Sequence, residues 1–161
     1  MKAITRLATL AVLAAALIAS AIAQDASNFK EAGKVWGKVK ADLAAFDKTV
    51  KAKKWMEVHE AAFAVRDDAL LLPDASKALA KDKMAKLKEH LKMVGSLAGE
   101  LDEAGDANNG KLVTSLAGKF RGHVNAIPAL YPKGALPTKA AALTPAKAGG
   151  HEGHHGGGHH S

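Results

Sequence analysis

Eight histidines are the residues of this chain best suited to chemistry, because imidazole nitrogen binds zinc, copper, nickel and cobalt. Five of them stand among glycines in the last eleven residues. Glycine lets a chain wrap one ion with several imidazoles, so this tail is predicted to bind a transition metal, with Cu(II) bound most tightly. The tail histidines are His151, His154, His155, His159 and His160.

The other three histidines, His59, His90 and His123, stand in the body of the chain. Two of them have a methionine three residues away, in Met56-x-x-His59 and in His90-x-x-Met93. A spacing of three places both side chains on one helix face. Imidazole together with thioether favours copper, and Cu(I) above all. The alternative is that the methionines fill the core and the histidines are surface or hydrogen-bonded core residues.

Four stretches of the chain carry apolar residues at alternate steps of three and four, which is typical of helices that bury one face. The predicted helices span residues 28–51, 54–72, 77–104 and 111–131. Short turns between four such helices predict an all-α fold, an up-down-up-down antiparallel four-helix bundle.

Local sequence signals set the expected helix ends. Pro73 is expected to stop the second helix, Asp74 or Ser76 to cap the third, and Pro128 to fray the last turn of the fourth. The predicted core residues are Phe29, Ala32, Trp36, Val39, Leu43, Phe46, Val50, Trp55, Val58, Ala62, Val65, Ala69, Leu72, Met84, Leu87, Leu91, Val94, Ala98, Leu101, Val113, Leu116, Phe120, His123, Ile127 and Leu130.

Helix geometry predicts that the three body histidines share one layer. Residues at equal distance from a turn lie level in two antiparallel helices. With a turn near residue 74, His59 lies level with His90, and the next turn brings His123 to the same height. We expect a metal site in which the three imidazoles converge, with the two methionines about one turn away and His123 pointing inward. In the alternative, His123 is buried and hydrogen-bonded while His59 and His90 face solvent.

The composition excludes several kinds of protein. The chain has no cysteine, which excludes disulfides, covalent c-type haem, cysteine-ligated iron–sulfur clusters and thiol catalysis. The net charge of +7 is scattered, without a basic stripe between aromatics, so nucleic-acid binding is not expected. No Ser-His-Asp pattern, phosphate loop or di-iron motif on the predicted helices indicates an enzyme. We read as solvated helix surface the residues Asp67, Asp68, Glu100, Asp102 and Glu103.

The first residues predict an export signal. Lys2 and Arg6 precede an apolar stretch over residues 7–18, and Ala21-Ile22-Ala23 offers the small residues of a cleavage site. We expect cleavage before Gln24, a periplasmic location and no stable membrane insertion afterwards. The expected organisation is a signal peptide at 1–23, the bundle at 24–131, and a disordered Pro/Ala/Gly linker with the His-rich tail at 132–161.

The export signal and the lysine- and alanine-rich amphipathic helices resemble the periplasmic four-helix cytochromes, which include cytochrome c prime and the soluble b-type bundle cytochrome. The resemblance covers about residues 25–131 and implies a bundle with His123 at the place of the haem-binding histidine. Lys119 and Gly122 stand where covalent haem needs cysteines, and the first helix has no Met or His as a second ligand, so haem is not expected. The bundle with its His-rich tail also looks like small periplasmic proteins that accompany heavy-metal efflux systems.

These patterns predict an exported, monomeric or weakly dimeric bundle that binds a transition metal, copper first and nickel, cobalt or zinc next. The expected role is buffering, sequestration or delivery, with a periplasmic efflux or transport component as a partner. The alternatives are a metal-independent interaction or scaffold bundle and a b-type haem electron carrier. Because binding needs neutral imidazole, metal affinity is expected to fall as the pH drops through about 6.5.

Overall fold

Four helices of twelve residues or more make up most of residues 26–137, the part of the chain that the computed structural model describes. No strand occurs among these residues, so the predicted all-α class is confirmed. The elements in chain order are α1 (Lys30–Lys51), a 3-10 turn (Trp55–Glu57), α2 (Val58–Ala69), the single turn α3 (Leu72–Ala75), α4 (Lys81–Asp106), α5 (Gly110–Ala126) and a final 3-10 turn (Ile127–Leu130).

The core lies on the predicted apolar faces. Every predicted core residue is buried except Trp55, Met84 and His123, which are half-buried. Helix α1 packs chiefly against α2, α4 against α5, and α2 against α4. Between α1 and α5, the rings of Phe46 and Phe120 lie 5.0 Å apart at their centroids. The periodicity of the sequence therefore located the hydrophobic core correctly, because one face of each helix must leave water.

Trp55 fills a space that two glycines leave open at one end of the bundle. A Cβ atom on Gly105 would lie 2.6 Å from the carbonyl oxygen of Trp55, and one on Gly110 would lie 2.7 Å from its indole ring. Both distances are far below van der Waals contact, so a residue larger than glycine at position 105 or 110 would displace the tryptophan. This contact determines which residues at the start of α2 lie level with the end of α4.

The connection between α2 and α4 differs from the prediction. Helix α2 ends at Ala69, three residues before its predicted end at Leu72, and Pro73 lies in the first turn of the separate α3, where its missing N–H costs nothing. Helix α4 begins at Lys81 after Ala80, which gives no side-chain cap, so the predicted capping by Asp74 or Ser76 is wrong. Ser76 is instead fully buried, and its hydroxyl lies 2.7 Å from that of Tyr131.

Two further predicted boundaries lie at Pro128 and at residue 132. The predicted fraying at Pro128 is confirmed, since the last turn there is 3-10. The disordered segment was expected to begin at residue 132, and this is wrong for its first six residues, because Ala135 and Leu136 are buried against the bundle. The carbonyl of Ala135 approaches Gly33 of α1 so closely that a Cβ there would lie 3.2 Å from it.

The predicted signal peptide, the remainder of the predicted linker and the five tail histidines lie outside the described residues. Within residues 26–137, none of the helices combines the length and the apolar character needed to span a membrane.

Replacing Gly105 by alanine is expected to lower the free energy of unfolding by about 1–2 kcal/mol, because the new methyl group meets the Trp55 backbone. The matched control is Gly99→Ala on the same helix, where nothing lies within 4 Å. That change is expected to raise stability by about 0.5–1 kcal/mol through helix propensity. Urea unfolding followed by circular dichroism measures both. Equal stabilisation by the two alanines would contradict the packing of Trp55 described above.

Burial raises the pKa of Tyr131, although the hydrogen bond with Ser76 acts in the opposite direction. A raised pKa means that the folded state favours the neutral phenol, so its contribution to stability is present below about pH 10 and is lost as the pH rises further. Tyr131→Phe is expected to lower stability at pH 7 by about 1–2 kcal/mol, since it leaves the buried Ser76 hydroxyl without this partner. It is also expected to flatten the decline above pH 10, measured by denaturant unfolding from pH 7 to 11. An unchanged alkaline slope would contradict the assignment.

Candidate metal site

Three side chains that suit a metal ion meet where α2 begins and α4 ends. The ligand atoms of His59, Asp102 and Asp106 all lie within 4.8 Å of one another, and they form the one group of three or more His, Asp or Glu ligands so placed among residues 26–137. His59 Nδ1 is 3.7 Å from a carboxylate oxygen of Asp102. Asp102 and Asp106 are four residues apart on α4, so both carboxylates lie on the same helix face. We call these three residues the His–Asp–Asp group.

The position of the two carboxylates is electrostatically unfavourable without a cation. The last turns of α4 carry Asp102, Glu103 and Asp106, and no basic residue lies in the last turn. A helix C-terminus bears about half a negative charge, so it disfavours acidic side chains. Two acidic residues at a spacing of four also repel each other. A bound cation, or a protonated His59, relieves both effects.

Packing holds the imidazole of His59 in place. Its ring lies beside that of Phe63, one turn further along α2, with centroids 6.2 Å apart and ring planes at 63°. The guanidinium carbon of Arg66 lies 4.3 Å from the centroid of the Phe63 ring. His59 and Asp102 are half-buried and Asp106 is exposed, so the group opens to solvent on one side. An ion can therefore enter from water while two of its ligands remain anchored.

The donor set is one nitrogen and two carboxylate oxygens. A catalytic or exchangeable zinc site commonly uses three such ligands and leaves a fourth position for water or another ligand. Bonds of about 2.0–2.1 Å in a tetrahedral arrangement place the ligand atoms about 3.3 Å apart. The observed separations exceed this by at most about 1.5 Å. Side-chain rotation alone closes such a gap in carboxylates that are partly or fully exposed.

The other two body histidines form a separate pair. His90 Nδ1 on α4 lies 3.2 Å from His123 Nδ1 on α5, and the ring centroids are 5.4 Å apart. Their predicted equal height is confirmed. His123 does not point into the core as expected: it is half-buried, because Val124 takes the buried position after Phe120.

The prediction that all three body histidines form one layer is wrong. The ligand atoms of His59 do not gather with those of His90 and His123 in the described structure. The cause is the turn between α2 and α4. Because helical structure continues to Ala75 and α4 starts only at Lys81, the partner level with His59 is Asp102 and not His90. The shift of twelve residues corresponds to about 18 Å along a helix.

The two methionines predicted to lie near the metal site, Met56 and Met93, are exposed. Met56 is 59% exposed in the 3-10 turn and Met93 is 39% exposed on α4, so neither serves as core filler. The predicted set of three imidazoles with two thioethers is thus divided between two places on the bundle. One place contains two carboxylates, of which the sequence analysis assigned Asp102 to solvated surface and gave Asp106 no role.

Asp102 and Asp106 are the site residues that sequence reasoning missed. A signal was present: acidic residues crowd the C-terminal turns of a long helix, where basic residues are expected.

No known protein family, no curated protein and no solved structure matches this chain.

Neutralising an acidic residue at the end of α4 is expected to stabilise the metal-free protein. Asp106→Asn and Glu103→Gln should each raise the free energy of unfolding by about 0.3–1 kcal/mol at low salt, because both remove charge repelled by the helix terminus. Asp82→Asn is the control, since Asp82 lies in the first turn of α4 and its removal should lower stability by a similar amount. Unfolding in the presence of a chelator measures all three. A loss of stability in Asp106→Asn would contradict the electrostatic argument.

Proposed function

We propose that this chain is an exported protein that binds a divalent transition metal and buffers, sequesters or delivers it. The observation that carries the proposal is the His–Asp–Asp group, in which two carboxylates and one imidazole gather at a helix end whose last turn carries no basic residue. Acidic side chains are disfavoured at a helix C-terminus, and a bound cation relieves this effect. The proposal concerns binding and not catalysis.

The donor set narrows the choice of metal. Carboxylate and imidazole ligands suit Cu(II), Ni(II), Co(II) and Zn(II), whereas Cu(I) prefers thioether and thiolate. Copper stays first in the expected order as Cu(II), since the affinity of such sites rises from cobalt through nickel to copper and falls again at zinc. In the proposal Asp102 and Asp106 provide the charge that holds the ion, and His59 provides selectivity against calcium and magnesium.

The proposal includes an up-down-up-down arrangement of the four helices. Contact pairs support it: Phe29 lies against Tyr131, while Phe46, further along α1, lies against Phe120, which comes earlier in the chain. On the other side Trp55 meets Gly105 and His59 meets Asp102. A rising number on one helix goes with a falling number on its neighbour, as in antiparallel helices. This arrangement joins the start of α2 to the end of α4.

Export and the tail complete the proposal. The predicted signal peptide would place the protein in the periplasm, and the five tail histidines would collect ions of the same kind. The expected partners are the metal ions and a periplasmic efflux or transport component. The resemblance to four-helix cytochromes enters only through the shape of the bundle, and haem has no part in the proposal.

The test is a metal titration of the full chain in which the five tail histidines are replaced by asparagine, so that tail binding does not mask the bundle. Zn(II), Ni(II) and Cu(II) are titrated by calorimetry at pH 7.5. Asp106→Asn is expected to weaken binding at least tenfold at the stronger bundle site, because the charged carboxylate is replaced by a neutral amide, whose oxygen is a weaker ligand.

Glu103→Gln is the matched control, since Glu103 lies beside the group on the same helix but is not a member of it. It should leave the affinity within about twofold. Equal affinities in the Asp106 and Glu103 variants would overturn the proposed site. If the parent chain with the neutral tail bound none of the three ions below about 10 µM, metal binding by the bundle would be excluded and a metal-independent scaffold would take its place.

A further inference from the structure

The imidazole pair formed by His90 and His123 joins two neighbouring helices. The two Nδ1 atoms face each other at 3.2 Å, and the ring planes are tilted by 58°. Both side chains are half-buried, so the pair is held by the packing of α4 on α5 and still reaches solvent. The His–Asp–Asp group lies elsewhere: Asp102 is twelve residues from His90 on α4, about 18 Å along the helix.

Without an ion, this contact is a hydrogen bond in which either His90 or His123 can be the donor. One Nδ1 must carry a hydrogen and donate it, while the other offers its lone pair. Two protonated Nδ1 atoms would bring their hydrogens together, and two unprotonated ones would bring their lone pairs together. The last arrangement becomes the favoured one when a cation lies between the two lone pairs.

The separation of the nitrogens matches a particular coordination geometry. Two imidazoles bound to one tetrahedral ion at about 2.0–2.1 Å have their nitrogens about 3.3–3.4 Å apart. A linear two-coordinate Cu(I) ion would need about 4 Å. The observed 3.2 Å lies within about 0.2 Å of the tetrahedral value, so the helices already hold the rings close to the bound geometry.

We propose that the Nδ1 atoms of His90 and His123 together bind a second divalent transition-metal ion, as a two-nitrogen site that is independent of the His–Asp–Asp group. Zn(II), Ni(II) and Cu(II) are the ions that suit paired imidazoles. Water completes the coordination shell on the solvent side. The second site carries no carboxylate, so it neutralises less charge and binds more weakly than the first.

The proposed site bridges α4 and α5, so binding can be measured through the stability of the fold as well as through affinity. An ion that binds only the folded state raises stability in proportion to the logarithm of its concentration. At a concentration one hundred times the dissociation constant, the gain is about 2.7 kcal/mol. In a chain whose tail histidines, His59 and Asp106 are replaced by asparagine, the melting temperature is therefore expected to rise with zinc, and to stop rising when His90 or His123 is also replaced.

The experiment uses the full chain in which the five tail histidines, His59 and Asp106 are replaced by asparagine, which leaves Asp102 as the one original member of the His–Asp–Asp group. Calorimetric titration with Zn(II) is expected to show one ion per chain. His90→Asn and His123→Asn should each weaken binding at least tenfold, and the double variant should lose little more than either one. Asparagine keeps a hydrogen-bonding atom near the place of Nδ1 but is a poor ligand for zinc. Lys92→Asn, an exposed change on the same helix, is the control and should leave binding unchanged.

Nitrogen-15 NMR of the imidazole rings in the same background keeps the test decisive where a variant fails to fold. Zinc is expected to shift the Nδ1 resonances of His90 and His123 together, at the stoichiometry of one ion per chain. Unshifted resonances, or a zinc affinity that survives His90→Asn within twofold, would overturn the second site and leave the pair as a hydrogen bond alone. Because His59 is absent from this background, either result is independent of the outcome for the His–Asp–Asp group.

Discussion

The contact of Trp55 with Gly105 and Gly110 sets the register on which the rest of the structure depends. A tryptophan side chain is large and rigid; its indole ring lies against Gly110, and the backbone carbonyl of Trp55 lies against Gly105. The start of α2 is thereby held against the end of α4. One turn beyond Trp55, His59 arrives beside Asp102 and Asp106. A shift by a single turn would leave the imidazole facing a different part of the helix.

Helix α4 carries a part of both candidate sites, and the two differ in chemistry. At its C-terminal end, two carboxylates meet one imidazole from α2, which gives a charged and oxygen-rich set. Near its middle, His90 meets His123 of α5, which gives a pair of ring nitrogens. In the two proposed sites, the first set would hold an ion mainly by charge and the second mainly by the lone pairs of nitrogen. A single rigid helix about 39 Å long thus separates two kinds of ligand without any loop between them.

The acidic end of α4 runs against the helix dipole, and this local conflict is informative. Natural sequences are locally consistent over most of their length, and exceptions concentrate at functional sites. Elsewhere α1 follows the usual pattern, with Glu31 in its first turn and Lys48 and Lys51 in its last. The exception at Asp102 and Asp106 is the local conflict on which the proposed cation site rests.

The amino-acid sequence by itself determined the all-α class, the buried face of each helix and the equal height of His90 and His123, because helical periodicity and a short turn are local properties. Tertiary structure alone decided the partner of His59. The extra turn α3 at Leu72–Ala75, the late start of α4 at Lys81 and the position of Trp55 depend on contacts between residues distant in sequence. An error of a few residues in the predicted centre of a turn is doubled in the residue number of the partner on the facing helix. Here the error made His90 the predicted partner of His59, whereas the structure places Asp102 and Asp106 there.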